Sequence, residues 1–133
     1  MHDAARPLAT PALARRVLED ARRRLAAVPA VAVADTLKHI DGDGRVLDTV
    51  DRSTLRAVQT PQGFDGPLLR RAHAQAASQD ATDDAALVER IGEPVWVVEG
   101  DPANVKVTTP GDLHLVRALL ALRAGEGGGD GSR

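Results

Sequence analysis

The stretch TPALARRVLEDARRRLAAVPAVAV, residues 10–33, carries a helix signal that leads directly into a strand signal. Thr10 is a typical helix N-cap, and Pro11 suits the first helical position. Apolar residues recur at helical spacing over residues 11–26 and predict one buried face, made of Ala14, Leu18, Ala21 and Leu25. Residues 31–33 are rich in valine and begin a strand. A helix followed at once by a strand is a unit of the α/β folds.

The composition favours the same architecture. The chain has 133 residues, of which 43% are hydrophobic, and this is enough to build the core of one domain. It contains only one Phe and one Trp. Aliphatic side chains must therefore fill the interior, which suits parallel strands covered by helices. The predicted fold class is α/β.

A β-hairpin is predicted after the first strand. That strand runs on to Lys38, the sequence Asp41-Gly-Asp-Gly44 is a strong turn signal, and residues 46–50 form the returning strand. The tip of this hairpin is polar and too long to be buried in a small domain. It either projects into solvent as an arm or packs on another subunit, and we favour the second interpretation.

Short strands and helices alternate over the rest of the chain. They are a strand at residues 55–60, a helix opened by Pro67, a helix whose start is signalled by Thr82-Asp83-Asp84 and which Gly92 and Pro94 end, a buried strand at 94–99, a shorter strand at 105–108 and a helix at 111–122. Thr109 and Asp112 have the spacing of a cap for the last helix. Residues 124–133 are rich in glycine and are predicted to form a flexible tail.

Charge and length limit the classes of partner. The formal net charge is -2 and the pI is about 6.1, so the chain has no general attraction for nucleic acid or for an anionic membrane. The arginines of the first helix lack the aromatic neighbours on which bases stack, and we interpret them as a solvated face. No apolar run approaches the roughly 20 residues of a membrane span. Without cysteines or a signal-peptide core, the expected location is the cytoplasm.

Two enzyme classes are disfavoured by the motifs. The histidines do not show metal-ligand spacing. No serine stands in a nucleophile elbow. Zinc enzymes and serine hydrolases therefore rank low as interpretations.

The segment His2–Pro7 carries the first candidate site residues. Asp3 and Arg6 lie three residues apart across a predicted turn. An aspartate there could accept hydrogen bonds from sugar hydroxyls or approach a metal ion, and an arginine could pair with it or hold a phosphate. The alternative is a surface ion pair of little energetic value.

Lys106 is the second candidate. It interrupts an apolar Val-Lys-Val run that leads straight into the capped start of the last helix. A strand end, a cation and a helix N-terminus together form a typical phosphate site. The alternative is an edge-strand lysine that prevents aggregation.

Four other side chains are ambiguous by themselves. Thr36, Thr60 and Thr82 offer hydroxyls near the ends of predicted elements, but strand propensity and helix capping explain them equally well. Arg52 follows the hairpin and would ordinarily be only a surface charge.

Seven short motifs, taken in order, resemble the 2-C-methyl-D-erythritol 4-phosphate cytidylyltransferase family. They are His-Asp-Ala-Ala-Arg-Pro at 2–7, Ala-Asp-Thr-Leu-Lys at 34–38, Thr-Val-Asp-Arg at 49–52, Gln-Thr-Pro-Gln at 59–62, Thr-Asp-Asp at 82–84, Val-Glu-Gly at 98–100 and Asn-Val-Lys-Val-Thr at 104–108. The resemblance extends to about residue 122. It implies an incomplete Rossmann-like nucleotidyltransferase sheet with flanking helices, one domain over residues 1–123 and a projecting hairpin arm at about 34–52.

The resemblance also implies roles for the candidate residues. The hydroxyls of methylerythritol phosphate would be held by Asp3, Arg6, Thr60 and Thr82. Lys106 would bind phosphate oxygens near the reacting centre and is the candidate catalytic residue, and Asp3 is the candidate metal contact. In this family the arm crosses to a second subunit, so Thr36 and Arg52 would complete the partner's pocket in a homodimer. We therefore expect Asp3 and Lys106 to share one pocket.

The implied reaction is attack by the sugar phosphate on the α-phosphorus of CTP, with pyrophosphate as the leaving group. Mg²⁺ would neutralise the triphosphate. Catalysis would then consist of positioning and charge stabilisation, without a covalent enzyme intermediate.

The resemblance concerns the C-terminal part of the family's domain. Family members begin with a strand and a Gly-rich loop whose Arg and Lys grip the triphosphate, and this sequence has no counterpart of them. We expect an uncovered sheet edge with exposed apolar surface. We also expect a chain that alone is marginally stable, dimer-dependent or aggregation-prone and does not turn over CTP. A start codon assigned too far downstream, or a split or truncated gene, would explain such a sequence.

Two alternatives remain open at this point. A ribitol 5-phosphate cytidylyltransferase would share the architecture and the Asp, Arg and Lys positions, although Ala4-Ala5 and the motif at 59–62 favour methylerythritol weakly. A non-catalytic remnant that binds sugar phosphate, or that dimerises with an intact homologue through the arm, belongs to a different class of function.

Overall fold

The computed structural model describes residues 1–76 and 83–127, and it has the predicted α/β architecture. The helices are α1 (Pro11–Arg24), α2 (Gly66–Gln75), α3 (Asp84–Arg90) and α4 (Pro110–Gly127). The strands are β1 (Ala26–Ala32), β2 (Lys38–Ile40), β3 (Val46–Thr49), β4 (Arg56–Val58), β5 (Gly63–Phe64) and β6 (Trp96–Glu99). A single 3₁₀ turn at Arg52–Thr54 connects the arm to β4.

Helix α1 begins where the sequence predicts. The Thr10 hydroxyl accepts a hydrogen bond from the Leu13 backbone N–H at 3.1 Å, which is the predicted N-cap. The helix ends at Leu25, whose φ of 71° is left-handed and whose N–H donates to the Ala21 carbonyl. This tight ending turns the chain directly into β1.

The face that α1 buries differs from the predicted one. Leu18 and Leu25 are 51% and 49% exposed, so the prediction of a buried face through Ala14, Leu18, Ala21 and Leu25 is wrong for both leucines. The buried residues are Leu13, Val17, Asp20 and Ala21. This face fits the sheet because Gly63 has no side chain: a Cβ there would lie 2.9 Å from the Ala21 Cβ. Close approach to the sheet, and not residue size alone, selects the buried face.

Strand β1 is central to the main sheet. It pairs in parallel with β6, where Ala27 lies opposite Trp96, and antiparallel with both β4 and β5. Ala30 lies opposite Val58, whereas Ala27 lies opposite Gly63. The register therefore shifts by two residues between β4 and β5, and the segment 59–62 bulges out of the ladder. This bulge contains a cis peptide bond between Thr60 and Pro61 and positions part of the site described below.

Strand β6 is more exposed than the buried strand that the sequence predicts. Trp96 and Val97 are 44% and 51% exposed. Within the described ranges β6 pairs with β1 only, so its other edge is open. The prediction of a buried strand is wrong, because burial depends on neighbours that a run of apolar residues does not specify. The expectation of an uncovered edge with apolar surface is confirmed for this part of the chain.

The hairpin arm is present, with shorter strands than predicted. β2 and β3 pair antiparallel, with Lys38 opposite Thr49, and a register irregularity follows His39. The predicted turn contains Gly44 at a φ of 86°. Every residue of β2 and β3 is exposed, so the arm projects from the body.

Two further elements differ from the predicted ones, and the start of a third agrees with the prediction. The segment 105–108 is not a strand, because its Val107 N–H donates to the Ala5 carbonyl, at 2.8 Å, and not to the sheet. Helix α3 starts at Asp84 and is capped by Asp83, within the predicted start Thr82-Asp83-Asp84, while Thr82 itself lies outside the described residues. Helix α4 continues to Gly127, so residues 124–127 of the predicted tail are helical; residues 128–133 lie outside the described ranges.

The cap of α4 is present as predicted, and it makes the stability of the fold depend on pH in the acidic range. The Asp112 carboxylate accepts hydrogen bonds from the Thr108 and Thr109 backbone N–H groups at 2.9 and 2.8 Å. These bonds, those from Thr108 first, lower the pKa of Asp112 to about 2. Because this pKa is depressed in the folded state, the cap stabilises the fold above the ordinary aspartate pKa, and this contribution disappears as the pH falls towards about 2.

We therefore expect Asp112→Asn to lower the free energy of unfolding at neutral pH, and the difference from wild type to shrink as the pH falls from about 4 to about 2. Urea unfolding at a series of pH values measures this. Asp35→Asn, at an exposed position in the arm, is the control. A difference that does not depend on pH would contradict the role of the carboxylate.

Candidate functional site

The N-terminal turn is fixed against the bulge and the segment 104–107. The Gln62 N–H donates to the Met1 carbonyl at 2.8 Å, and the Val107 N–H donates to the Ala5 carbonyl at the same distance. The Arg6 N–H closes the turn by donating to the Asp3 carbonyl at 3.0 Å. Three segments far apart in the sequence therefore meet around Asp3.

Asp3 and Lys106 form the ion pair at the centre of the site. The Lys106 Nζ lies 3.1 Å from the Asp3 Oδ2, and the Ala5 backbone N–H donates to Asp3 Oδ1 at 2.9 Å. The Ala5 N–H, and then the Lys106 ammonium, hold the pKa of the Asp3 carboxyl below its ordinary value. The carboxylate is therefore ionised at neutral pH. Both side chains are partly exposed, so they are accessible to a ligand.

Thr60 lies beside this pair because of the bulge. Its Oγ1 accepts a hydrogen bond from the Asp3 N–H at 3.0 Å and lies 3.0 Å from the His2 Nδ1. The other ring nitrogen of His2 lies 3.2 Å from the Arg6 carbonyl oxygen. His2 and Thr60 thus form one hydrogen-bonded unit with the N-terminal turn.

Arg6 donates hydrogen bonds to two backbone carbonyls. Its Nη1 donates to the Asn104 carbonyl at 2.7 Å, and its Nη2 donates to the Val58 carbonyl at 3.4 Å. Burial is the main cause that lowers the pKa of the guanidinium, but an arginine remains charged at neutral pH. Arg6 therefore joins β4 to the segment that carries Lys106, besides contributing positive charge.

Two buried amides support the site, and local sequence patterns did not indicate this role. Asn104 is fully buried and its Nδ2 donates to the Thr60 carbonyl at 2.7 Å. The Gln59 amide donates to the Asp101 carbonyl at 2.8 Å and accepts from the Asp101 N–H at 3.1 Å. Both residues fall within the motifs of the resemblance, which was the only available signal. They fix the bulge relative to the residues that lead to Lys106.

A cleft of about 350 Å³ opens beside Asp3 and Thr60. Its other lining residues are Met1, His2, Gln62, His73, Asp83, Asp84 and Leu87. The Gln62 amide donates to Asp83 at 2.9 Å, and the His73 ring lies 2.9 Å from Asp84. The carboxylates make the cleft rich in hydrogen-bond acceptors, while Lys106 supplies a cation next to Asp3. A ligand with several hydroxyls and one anionic group matches this arrangement.

The remaining sequence-predicted residues are not gathered at this site. Thr36 is exposed and precedes the arm. Arg52 follows the arm and donates to the Ala34 carbonyl, which closes the base of the hairpin. Within the described part of this single chain, no hydrogen bond or ion pair joins either residue to Asp3 or Lys106. Thr82 precedes Asp83 of the cleft but lies outside the described residues.

The described side chains do not form a metal site. Across residues 1–76 and 83–127, no three His, Cys, Asp or Glu side chains are grouped as metal ligands would be. The Asp3 carboxylate is occupied by Lys106 and the Ala5 N–H. Among these residues, Asp3 is not part of a group that could by itself supply three ligands to an Mg²⁺ ion.

Membrane insertion is not indicated by the helices. None of those in the described ranges combines the length and apolar character needed to cross a bilayer.

Comparison with known proteins gives a consistent result. The profile of the 2-C-methyl-D-erythritol 4-phosphate cytidylyltransferase family matches residues 1–122. A protein of that name from Nocardia farcinica is 56% identical over 125 residues, which are 93% of this chain and 54% of the relative. One from Rhodococcus jostii is 55% identical over 121 residues, which are 90% and 53% of the two chains.

A solved structure shares the fold. The crystal structure of 2-C-methyl-D-erythritol 4-phosphate cytidylyltransferase from Thermus thermophilus superposes with a TM-score of 0.82 at 48% identity. The match covers 89% of this chain and 59% of the other. The chain thus spans about half the length of the curated relatives it matches.

Proposed function

The chain belongs to the 2-C-methyl-D-erythritol 4-phosphate cytidylyltransferase family, and from this premise we propose that its residues form the polyol-phosphate pocket of an enzyme that transfers CMP from CTP to 2-C-methyl-D-erythritol 4-phosphate. The observation that carries the proposal is the 3.1 Å contact between Lys106 and Asp3 beside Thr60. An ionised carboxylate and a hydroxyl line one cleft, and a cation contacts that carboxylate. This is the residue set that a phosphorylated polyol requires.

Each residue has a proposed part in the reaction. Asp3 and Thr60 accept hydrogen bonds from the polyol hydroxyls and so fix its orientation. Lys106 contacts the phosphate and offsets its negative charge as one of its oxygens attacks the α-phosphorus of CTP. The bond between the α-phosphorus and the oxygen that bridges to the β-phosphorus breaks, and pyrophosphate leaves with the bonding electrons. Orientation and charge stabilisation supply the rate enhancement in such a transfer.

Two further parts of the proposal come from the family resemblance, and a third comes from the composition. Arg6 and Thr82 complete the contacts to the substrate. Mg²⁺ accompanies the CTP triphosphate as its counterion, and no step is assigned to it, since the described residues do not offer it a ligand set. We propose a cytoplasmic location, in keeping with a sequence that has no cysteine.

The function is tested by isothermal titration of the chain with 2-C-methyl-D-erythritol 4-phosphate and, separately, with ribitol 5-phosphate. We expect the first compound to bind more tightly. Asp3→Asn, which keeps the size of the side chain, is expected to weaken binding. Tighter binding of ribitol 5-phosphate would favour the related cytidylyltransferase, and binding of neither compound would contradict the proposal.

We further propose that the chain forms a homodimer through its arm, in which Thr36 and Arg52 reach the partner's pocket. The support is the exposure of the arm: Ile40 and Val46 lie opposite each other on β2 and β3 and are 61% and 54% exposed. Apolar pairs on a projecting hairpin are typical of a surface that another subunit covers.

The dimer gives a prediction about mass in solution. We expect the double variant Ile40→Lys, Val46→Lys to shift the chain from dimer to monomer in light scattering coupled to size exclusion. Leu18→Lys makes the same kind of change at an exposed leucine outside the arm and is expected to leave the mass unchanged. A monomeric wild type, or a dimer unaffected by the arm substitutions, would exclude this interface.

A further inference from the structure

His2 is a residue of the N-terminal turn to which the proposed function assigns no role. Its ring contacts two groups of the site at once: the Nδ1 lies 3.0 Å from the Thr60 Oγ1 and the Nε2 lies 3.2 Å from the Arg6 carbonyl oxygen. A carbonyl oxygen can only accept a hydrogen bond. In the neutral ring the proton must therefore be on Nε2, which leaves Nδ1 as an acceptor.

This tautomer determines the direction of the bond to Thr60. Because the Nδ1 of His2 is an acceptor, the Thr60 hydroxyl proton points towards it. The Thr60 oxygen also accepts the Asp3 N–H at 3.0 Å, which uses one of its two lone pairs. One lone pair remains, and Thr60 lines the cleft. The hydroxyl can then offer a ligand an acceptor but not a donor.

We propose that His2 is a positioning residue that makes Thr60 a hydrogen-bond acceptor, so that the cleft selects ligands by their hydroxyl groups. This inference rests on the proposed function and deepens it. Asp3, Asp83 and Asp84 add carboxylate oxygens, which are further acceptors, to the lining of the cleft. A polyol can donate hydrogen bonds to Thr60 and to these carboxylates, whereas the oxygens of a phosphate dianion cannot donate to Thr60 and are directed to Lys106 instead.

The first test concerns the tautomer and does not depend on any ligand. Long-range ¹H–¹⁵N NMR of the full chain, at a pH where the ring is neutral, distinguishes the two ring nitrogens of His2. We expect the proton on Nε2, and we expect the Nδ1 resonance to move in Thr60→Val. A proton on Nδ1 would overturn the proposal, whether or not the chain binds a sugar phosphate.

The second test separates positioning from general stabilisation. We expect His2→Ala to weaken binding of 2-C-methyl-D-erythritol 4-phosphate about two- to tenfold, the effect of one neutral hydrogen bond. His2→Asn places an amide oxygen where Nδ1 lies and is expected to restore the affinity to within about twofold, whereas His2→Gln, which reaches the position of Nε2, is not. Binding of inorganic phosphate is expected to be the same in all variants.

The outcomes are distinguishable. If His2→Asn and His2→Ala lost the same affinity for the sugar phosphate, or if binding of inorganic phosphate weakened in parallel, His2 would only stabilise the turn. Either result would overturn the positioning role. A wild-type chain that binds inorganic phosphate but not the sugar phosphate would count against the proposed function and against selection by hydroxyls, although the tautomer would still be decided by NMR. His114→Ala, on the exposed surface of α4, is the matched histidine control.

Discussion

Replacement of Lys106 with Met is expected to weaken binding of 2-C-methyl-D-erythritol 4-phosphate about tenfold to a hundredfold, the effect of losing a hydrogen bond to a charged group. The substitution keeps most of the length of the side chain and removes its charge. Lys106 Nζ lies 3.1 Å from Asp3, so the variant also leaves the carboxylate without its cation next to an anionic ligand. Repulsion between the two negative groups adds to the loss.

The charge and the geometry of Lys106 can be separated. Lys106→Arg keeps the charge but replaces a compact ammonium with a planar fork, and we expect it to recover only part of the affinity. Arg117→Met removes an exposed positive charge on α4 and is the control for net charge. Calorimetric titration with the sugar phosphate measures all three variants. If Lys106→Met bound as tightly as Arg117→Met, Lys106 would not be part of the pocket.

Substitution of Gly100 with Ala is expected to have the second large effect, a loss of about 1–3 kcal/mol in the free energy of unfolding, as for an overpacked core. A Cβ at this position would lie 2.7 Å from the Gln59 Oε1 and 3.0 Å from the carbonyl carbon and oxygen of Ala30. The Gly100 N–H also donates to that carbonyl, at 2.9 Å. Because a backbone cannot move aside as a flexible side chain can, the contact between β1 and the end of β6 must open.

The same substitution is expected to affect the site. Gln59 fixes the Asp101 backbone through two hydrogen bonds, and displacement of its amide would release the segment that leads to Asn104 and Lys106. We therefore expect weaker binding of the sugar phosphate as well as lower stability. Gly42→Ala, in the arm, where nothing lies within 4 Å of the added Cβ, is expected to change the free energy of unfolding by less than about 0.5 kcal/mol. Urea unfolding compares the two, and equal stability would show that the close approach at Gly100 is not required.

Features that depend on local signals were predictable from the sequence. The Thr10 cap of α1, the turn of the arm and the Thr109–Asp112 cap of α4 each need residues within about one turn of the chain. The contact between Asp3 and Lys106 was also expected, but through the family resemblance. Spacing alone was also consistent with a surface ion pair for Asp3 and with an edge-strand lysine for Lys106.

Features that depend on packing were not predictable. The buried face of α1 is selected by its approach to Gly63, which is remote in sequence. Trp96 is exposed because, within the described ranges, β6 pairs only with β1 and its other edge is open, whereas the apolar run alone indicates burial. The segment 105–108 has the composition of a strand, yet its Val107 pairs with the N-terminal turn. In each case tertiary contacts override a pattern that is correct locally.

The supporting residues of the site illustrate the same limit. Asn104 reaches the Thr60 carbonyl across 44 positions of sequence, and His2 reaches the Thr60 hydroxyl across 58. The bulge at 59–62, which places four residues opposite two of β1, makes both contacts possible, and it is visible only as a register shift between β4 and β5. A sequence can supply the residue types of such a network, but the distances come from the fold.

The central claim is that the N-terminal turn, the bulge and the segment around Lys106 form one pocket for a phosphorylated polyol. Amide NMR of the ¹⁵N-labelled chain, titrated with 2-C-methyl-D-erythritol 4-phosphate, tests this most directly. The account predicts saturable shifts concentrated at residues 2–6, 59–62 and 104–107, with α4 beyond Val116 unaffected. Shifts centred on another part of the surface, or no saturable change in these three segments, would contradict it.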